Sequence, residues 1–172
     1  MRRPTADEYD AGYYSGYVSQ TSEGEDVLRI LDEQPSQLRT LFDGLPEERG
    51  AYAYADGKWT IKELLSHIID GERIFAYRVL RIARGDETPI EGFDQDIYIE
   101  NSNANNRSFA ELLEEFDLAR RSNMLMLRNL RDEDGARMGT ASDKPISART
   151  IPYIMAGHVT HHVKILKERY LG

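Results

Sequence analysis

Three of the chain's four histidines lie within residues 157–162. His158 and His162 are four residues apart, so on a helix they share one face, one turn apart. The apolar residues that continue this face are Ile151, Ile154, Met155, Ile165 and Leu166. Each buried imidazole needs a partner, because an unsatisfied buried polar group costs about 1–3 kcal/mol. A metal ion would satisfy both, so the pattern predicts a metal site.

His67, far upstream, is the expected third ligand. It lies at the edge of the apolar face of another predicted helix, and an edge position points into a groove where ligands from two helices can meet. Three protein ligands with one open position are typical of a catalytic metal site, whereas a structural zinc site has four. Imidazole suits zinc, nickel and iron. A His158–His161 pair is the alternative, and it is less favoured because His161 lies about 100° from His162 around the helix.

Two charged residues lie within predicted apolar faces. Glu72 lies on the second helix, and Arg120 lies between Phe116 and Leu127 on the third. One buried charge is costly, but two opposite charges can pair. We therefore favour a structural Glu72–Arg120 ion pair in the core. In the alternative, Glu72 lies near the metal, either as a hydrogen-bond partner of a ligand or as a general base.

Four amphipathic helices predict an all-α four-helix bundle. Three of them have a capping-box pattern at the N-terminus. The pairs are Ser22 with Glu25, Thr60 with Glu63, and Ser108 with Glu111. We expect Thr150 to cap the fourth helix, and Pro35 to kink or split the first. Strand signals are poor throughout.

A long connection over residues 86–107 has little helical period, which is typical of a lid or binding loop. It contains Asp94 and Asp96, which could reach the metal from the loop. Loop carboxylates are more often solvated or capping groups, so this alternative is the weaker one.

The length of 172 residues predicts a single domain over 1–172, with an N-terminal arm at 1–21 and the helical bundle at 22–170. A net charge of −8 without a dense basic segment disfavours nucleic acid as a partner. The absence of cysteine excludes a cysteine nucleophile and thiolate metal ligands. Neither a signal peptide nor a membrane span is recognisable, so we expect a cytoplasmic protein without a membrane partner.

At these residues the sequence resembles the DinB-like family of small metal-binding four-helix bundles. The matching segments are residues 58–63, His67 with Asp70 and Glu72, and Gly157-His158 with His162, while residues 73–78 and 92–96 fit one subgroup. The resemblance implies an up-up-down-down-type bundle, a homodimer, and a divalent metal held by His67, His158 and His162. It also implies that a low-molecular-weight thiol such as bacillithiol or mycothiol could serve as a cofactor, since some related proteins are thiol transferases.

Two classes of function follow for the site. The first is a metal-dependent enzyme acting on a small molecule, foremost a thiol S-transferase with an electrophilic substrate, and otherwise a hydrolase that activates water. The second is a non-catalytic metal or small-molecule binding module. An open coordination position facing a pocket favours an enzyme, and a fourth protein ligand favours a structural metal. The second helix is apolar over more than one face, including Ile69 and Leu80, which predicts a homodimer.

Overall fold

The structure, a computed structural model, describes residues 1–171. Within them the helices are α1 (Ala11–Val18), α2 (Val27–Phe42), α3 (Ile61–Ala83), α4 (Gln95–Glu100), α5 (Phe109–Leu127), α6 (Asp132–Gly135) and α7 (Thr150–Ile165). Strands β1 (Met138–Ala141) and β2 (Lys144–Ser147) form one hairpin. Short 3₁₀ turns cover Ala6–Glu8, Glu47–Ala51 and Ala104–Asn106, and a π turn, Leu166–Tyr170, extends α7.

The four long helices α2, α3, α5 and α7 form the predicted four-helix bundle. Both α2 and α3 pack against α5 and α7, so these two helices, although consecutive among the four, lie diagonally across the bundle. The short helix α1 packs on α7, and α4 packs on α3. No helix within residues 1–171 has the length and apolar composition needed to cross a membrane.

Contacts along the bundle fix the direction of each helix. Between α2 and α5, including the C-cap residue of α5, they are Arg39–Asp117 and Asp32–Arg128. Gln34–Ala156 joins α2 to α7, and Arg49–Tyr170 joins the turns that follow these two helices. Gly71–His158 joins α3 to α7, and Trp59–Tyr170 joins the residues before α3 to the turn that extends α7. In chain order the long helices therefore run up, down, down and up. The resemblance implied an up-up-down-down order, and this order of helix directions is wrong.

Two of the three predicted capping boxes are confirmed. The hydroxyl of Thr60 accepts the Glu63 N–H while the Glu63 carboxylate accepts the Thr60 N–H, and Ser108 and Glu111 form the same pair. These reciprocal bonds satisfy N–H groups that have no partner within the helix. The N-termini of α3 and α5 are thus as predicted.

The starts of the other two long helices differ from the prediction. The first begins at Val27 with Asp26 as its cap, because Gly24 has a φ of +83° and turns the chain after Ser22. At the fourth helix, Arg149 is the N-cap residue and Thr150 is already helical. The Thr150 hydroxyl lies 2.8 Å from the Ser147 hydroxyl, so it pairs with the hairpin instead of capping the helix.

The β1–β2 hairpin was not predicted. Its strands have only four residues each, and β2 contains Pro145, which masks the strand pattern. The turn residues Ser142 and Asp143 have φ angles of +53° and +60°, as a two-residue hairpin loop requires. The hairpin brings Ser142 to the wall of the cavity described below.

A layer of buried polar side chains divides the apolar core into two clusters. One cluster includes Leu31, Phe75 and Ile154, and the other includes Leu38, Leu65 and Phe116. The polar layer consists of Gln34 on α2, Glu72 on α3, and Arg120 and Asn123 on α5. All four long helices take part in it, because Gln34 also donates to the Ala156 carbonyl of α7 at 2.8 Å.

Arg120 is the centre of this layer. Its Nε and Nη2 donate to the two carboxylate oxygens of Glu72, each at 2.8 Å, in the bidentate geometry that makes arginine–carboxylate pairs strong. Its Nη1 donates to the Gln34 side-chain oxygen at 2.9 Å and to the Leu31 carbonyl at 2.7 Å. The charge is therefore neutralised, and each of the three guanidinium nitrogens has at least one acceptor.

Pro35 explains why the Leu31 carbonyl can accept this bond. In an α-helix the carbonyl of residue 31 accepts the N–H of residue 35, and proline has no N–H to donate. The sequence predicted that Pro35 would kink or split the first helix, but α2 is one helix from Val27 to Phe42. Arg120 replaces the hydrogen bond that Pro35 removes.

The polar layer gives the first testable expectation. Replacing Glu72 by glutamine leaves the guanidinium of Arg120 buried without a countercharge, which should lower the free energy of unfolding by about 3–5 kcal/mol. Chemical denaturation of the wild type and the variant measures this difference. The matched control is Glu33→Gln, which breaks the exposed Arg29–Glu33 pair and should cost less than about 1 kcal/mol. Equal unfolding free energies for Glu72→Gln and the wild type would contradict a stabilising pair.

Candidate metal centre

Three histidines from two antiparallel helices meet inside the bundle. His67 lies near the start of α3, and His158 and His162 lie one turn apart on α7. Each offers a ring nitrogen, and these atoms all lie within 4.8 Å of one another. The Nε2 atoms of His67 and His158 are 3.0 Å apart. We call these three residues the histidine triad.

The triad leaves polar atoms without protein partners. Both ring nitrogens of His162 are buried and make no hydrogen bond within the part of the chain that the structure describes. A buried polar group in this state costs about 1–3 kcal/mol. Among residues 1–171 the triad is also the one cluster of three or more histidine or acidic side chains with metal-ligand spacing. The donor set therefore fits a divalent cation.

Burial keeps the triad in the form that binds metal. Loss of solvent lowers the pKa of His67 to about 4 and the pKa of His162 to about 3. The same cause lowers the pKa of His158 well below its usual value, and the neighbouring His162 and His67 imidazoles lower it further. All three rings are thus neutral at pH 7, and a neutral imidazole has a free lone pair for a metal ion.

Two glycines allow close packing around the triad, Gly71 against His158 and Gly157 against α1. A Cβ on Gly71 would lie 2.8 Å from Cε1 of His158, so any side chain there would displace the imidazole. A Cβ on Gly157 would lie 2.1 Å from the Tyr17 carbonyl oxygen, so α1 can rest on α7 only where a glycine stands. The residue before His158 thus determines how close the N-terminal arm comes to the site.

Aromatic rings enclose the triad. Trp59 packs on His67 with ring centroids 4.8 Å apart. Phe75 and Tyr17 approach His158 at 5.4 and 5.7 Å. These rings hold the imidazoles in place and keep bulk water from most of their surface.

Two cavities reach the triad from different sides. The first, the tyrosine cavity, has a volume of about 360 Å³. Its lining includes Tyr13, Tyr14, Tyr17, Phe75, Arg78, Phe93, Gln95, Ser142, His67 and His158. The second, the tryptophan cavity, has a volume of about 330 Å³, and its lining includes Trp59, Lys58, Tyr54, Gln95, Asp96, Tyr170 and His162. Gln95 is common to both.

The segment between α3 and α5 is part of the site, as its length suggested. It contains the short helix α4, which the sequence did not predict, and Asp94 caps that helix by accepting the N–H groups of Asp96 and Ile97. Asp94 is therefore a capping residue and not a metal ligand. Asp96 is exposed on the wall of the tryptophan cavity and is not among the clustered donors.

The remaining predicted site residues lie apart from the metal donors. His161 is partly exposed with its ring 5.9 Å from that of Tyr17, so the His158–His161 pairing has no support in the structure. Glu72 binds Arg120 through both oxygens and also accepts from Asn123 at 2.9 Å. A carboxylate held in this way is not free to act as a general base.

Two residues that matter here were not identified from the sequence. Gln34 lies between Leu31 and Leu38 in the apolar stripe of α2, and Arg78 lies between Phe75 and Ile82 on α3. Each is a polar residue at an apolar position, which is the signal that revealed Glu72 and Arg120. A polar residue within an apolar stripe therefore marks Gln34 and Arg78 in the sequence as well.

The chain is similar to several known proteins. A sequence model of the DinB superfamily matches residues 30–166. A Bacillus pumilus (strain SAFR-032) protein, provisionally named a metal-dependent hydrolase, is 26% identical over 168 residues and covers 95% of both chains. A protein of Oceanobacillus iheyensis with the same kind of provisional name is 30% identical over 70 residues, 40% of each chain.

A solved structure shares the fold. YfiT from Bacillus subtilis is described, provisionally, as a metal-dependent hydrolase with an unusual four-helix bundle topology. It matches this chain with a TM-score of 0.76 and 18% identity, over 86% of this chain and 89% of YfiT.

Neighbouring histidines provide a matched test of the triad. His162→Ala removes one donor, so zinc retained after dialysis should fall from about one ion per chain to well below half of that value. His161→Ala alters the adjacent residue but leaves the triad complete, so its zinc content should equal that of the wild type. Elemental analysis of both variants measures this. Full retention by His162→Ala would reject the assignment, and loss in His161→Ala would restore the alternative pairing.

Proposed function

The chain belongs to the DinB superfamily, and on this premise we propose that it is a metal-dependent thiol S-transferase with a small electrophilic substrate. His67, His158 and His162 would hold the divalent metal, with zinc and nickel the first candidates. A divalent metal bound there would supply positive charge that lowers the pKa of a coordinated thiol. The protein itself supplies no thiol, since the sequence has no cysteine, so the thiol must come from a separate molecule.

The observation that carries an enzymatic function is the incomplete donor set. The triad has three imidazoles, and no fourth histidine or acidic donor joins it within residues 1–171. Three ligands with an open position are typical of catalytic sites, whereas structural sites have four. Triad residues line both cavities, which supports access of a small molecule to an open position on the metal.

The two cavities favour a reaction with two substrates. One cavity ends at His67 and His158 and the other at His162, so two molecules can approach the triad from different sides. In thiol transfer the sulfur gives up its proton to solvent, forms a bond to the electrophilic carbon, and displaces a leaving group with its electron pair. Gln95, on the wall of both cavities, is placed to contact either substrate.

A hydrolase is the second candidate. The relative from Bacillus pumilus carries a provisional hydrolase name, and Asp96 lies on the wall of the tryptophan cavity together with His162. A carboxylate in that position could accept a proton from water. Glu72 is not available for this role, because Arg120 and Asn123 occupy its oxygens.

Turnover of a haloalkane probe separates these functions. We expect zinc- or nickel-loaded protein to consume the probe only when bacillithiol, mycothiol or glutathione is added, and His162→Ala to lose most of this activity while His161→Ala keeps it. Metal-dependent turnover without thiol would reject the transferase and favour the hydrolase. No turnover under any condition would favour a non-catalytic binding module.

We also propose that the protein is a homodimer. Tyr77 and Leu80 on α3 are 52% and 42% exposed, which leaves an apolar surface that a second chain could cover. Ile69, which contributed to the same prediction, is 2% exposed and is already covered within the chain. Sedimentation velocity at micromolar concentration should give about twice the chain mass, and Leu80→Glu should shift the protein toward the monomer. A wild-type monomer would contradict the proposal.

A further inference from the structure

Arg78 differs from the other buried arginines of the described chain. Arg120 is paired with Glu72, and Arg149 lies 3.0 Å from Glu8 and 2.9 Å from Asp132. Arg78 is just as buried, with 4% of its surface exposed, but it forms no ion pair with any carboxylate within residues 1–171. A buried cation without a countercharge is costly, so this position needs an explanation.

The hydrogen bonds of Arg78 leave part of the guanidinium free. Nη2 donates to the Ser142 hydroxyl at 2.9 Å and to the Glu91 carbonyl at 3.3 Å, and these contacts fix the plane of the group. Nε is buried and has no partner among the described residues. Burial lowers the pKa of Arg78, which reflects how poorly the protein compensates this charge.

Arg78 lines the wall of the tyrosine cavity, and His67 and His158 line the same cavity. The Arg78 guanidinium carbon is 6.0 Å from the centre of the Phe75 ring, and that ring is 5.4 Å from the ring of His158. The Arg78 guanidinium carbon and the centre of the His158 ring are therefore no more than about 11 Å apart. One small molecule can reach both.

We propose that Arg78 binds the carboxylate of a small substrate whose reactive atom lies against His67 and His158. Arg78 is suited to this role because its Nη1, which makes neither of the hydrogen bonds of Nη2, can donate charge-assisted hydrogen bonds to a carboxylate. The rings of Tyr14, Tyr17 and Phe75 would contact an apolar body between the two ends. This inference rests on the proposed function for the identity of the reactive end, but the anion site stands on the cavity and Arg78 alone.

The carboxylate could belong to the electrophile or to the thiol, so the test uses two matched pairs of probes. Phenylacetate carries a carboxylate where phenylacetamide carries a neutral amide, and this pair represents the electrophile. N-acetylcysteine and N-acetylcysteamine differ by a carboxylate and represent the thiol. Binding to zinc-loaded protein is measured by chemical-shift titration, which requires no turnover, so a failed transferase assay would leave this result intact.

In the wild type, the acid of at least one pair should bind about tenfold more tightly than its neutral partner. Arg78→Gln should reduce that preference to near one, whereas Arg73→Gln, which alters an exposed arginine paired with Glu115, should preserve it. The pair of probes whose preference is lost in Arg78→Gln shows whether the electrophile or the thiol carries the carboxylate. Should Arg78→Gln not fold, Arg78→Lys replaces it and should retain only part of the preference, because lysine keeps the charge but not the position of the Nη1 donors.

Two results would overturn the proposal. In the first, the wild type binds the acid and the neutral partner of both pairs equally. In the second, the preference for the acid is as large in the Arg78 variant as in the wild type, which would place the anion site elsewhere. Either result leaves the metal assignment and the thiol assay unaffected, since those depend on the histidine triad.

Discussion

The buried guanidinium of Arg120 is the constraint on which this bundle depends. A cation in the core is costly unless its charge is paired and its donors are hydrogen-bonded. Glu72 on α3 supplies the charge, and the Leu31 carbonyl and Gln34 on α2 supply the remaining acceptors. Arg120 can reach both groups only if α2 and α3 both lie beside α5. The diagonal placement of α2 and α3 thus satisfies the needs of one side chain.

The same polar layer sets the orientation of the metal ligands. Gln34 accepts from Arg120 and donates to the Ala156 carbonyl and the Thr160 hydroxyl, which flank His158 on α7. These bonds fix the rotation of α7, so that His158 and His162 face α3. On α3, Glu72 and His67 lie little more than one turn apart, and Gly71 lies between them. The core ion pair and the triad therefore share helix α3, and Gln34 connects the ion pair to α7.

The bundle and its candidate metal ligands could be predicted because each leaves a local pattern in the sequence. The i, i+4 spacing of His158 and His162 and the capping boxes at Thr60 and Ser108 need only a few consecutive residues to be read. The start of α2, the hairpin and the helix directions depend on distant contacts. Pro35 shows why: its effect on α2 is decided by Arg120, 85 positions away, which local propensity cannot represent. Arg78, by contrast, leaves a local signal, since it is a charged residue in the apolar stripe of α3.

The separation of the ligands along the chain has a consequence for biosynthesis. His67 and His158 are 91 residues apart, and His162 is four residues further on, close to the last helix turn. During translation α3 leaves the ribosome long before α7 is synthesised, so His67 is present at first without His158 and His162. A cation with high affinity for the full triad therefore favours completed chains over truncated ones, since only the finished fold gains its binding energy. Metal loading would then act as a check on chain completion as well as a preparation for chemistry.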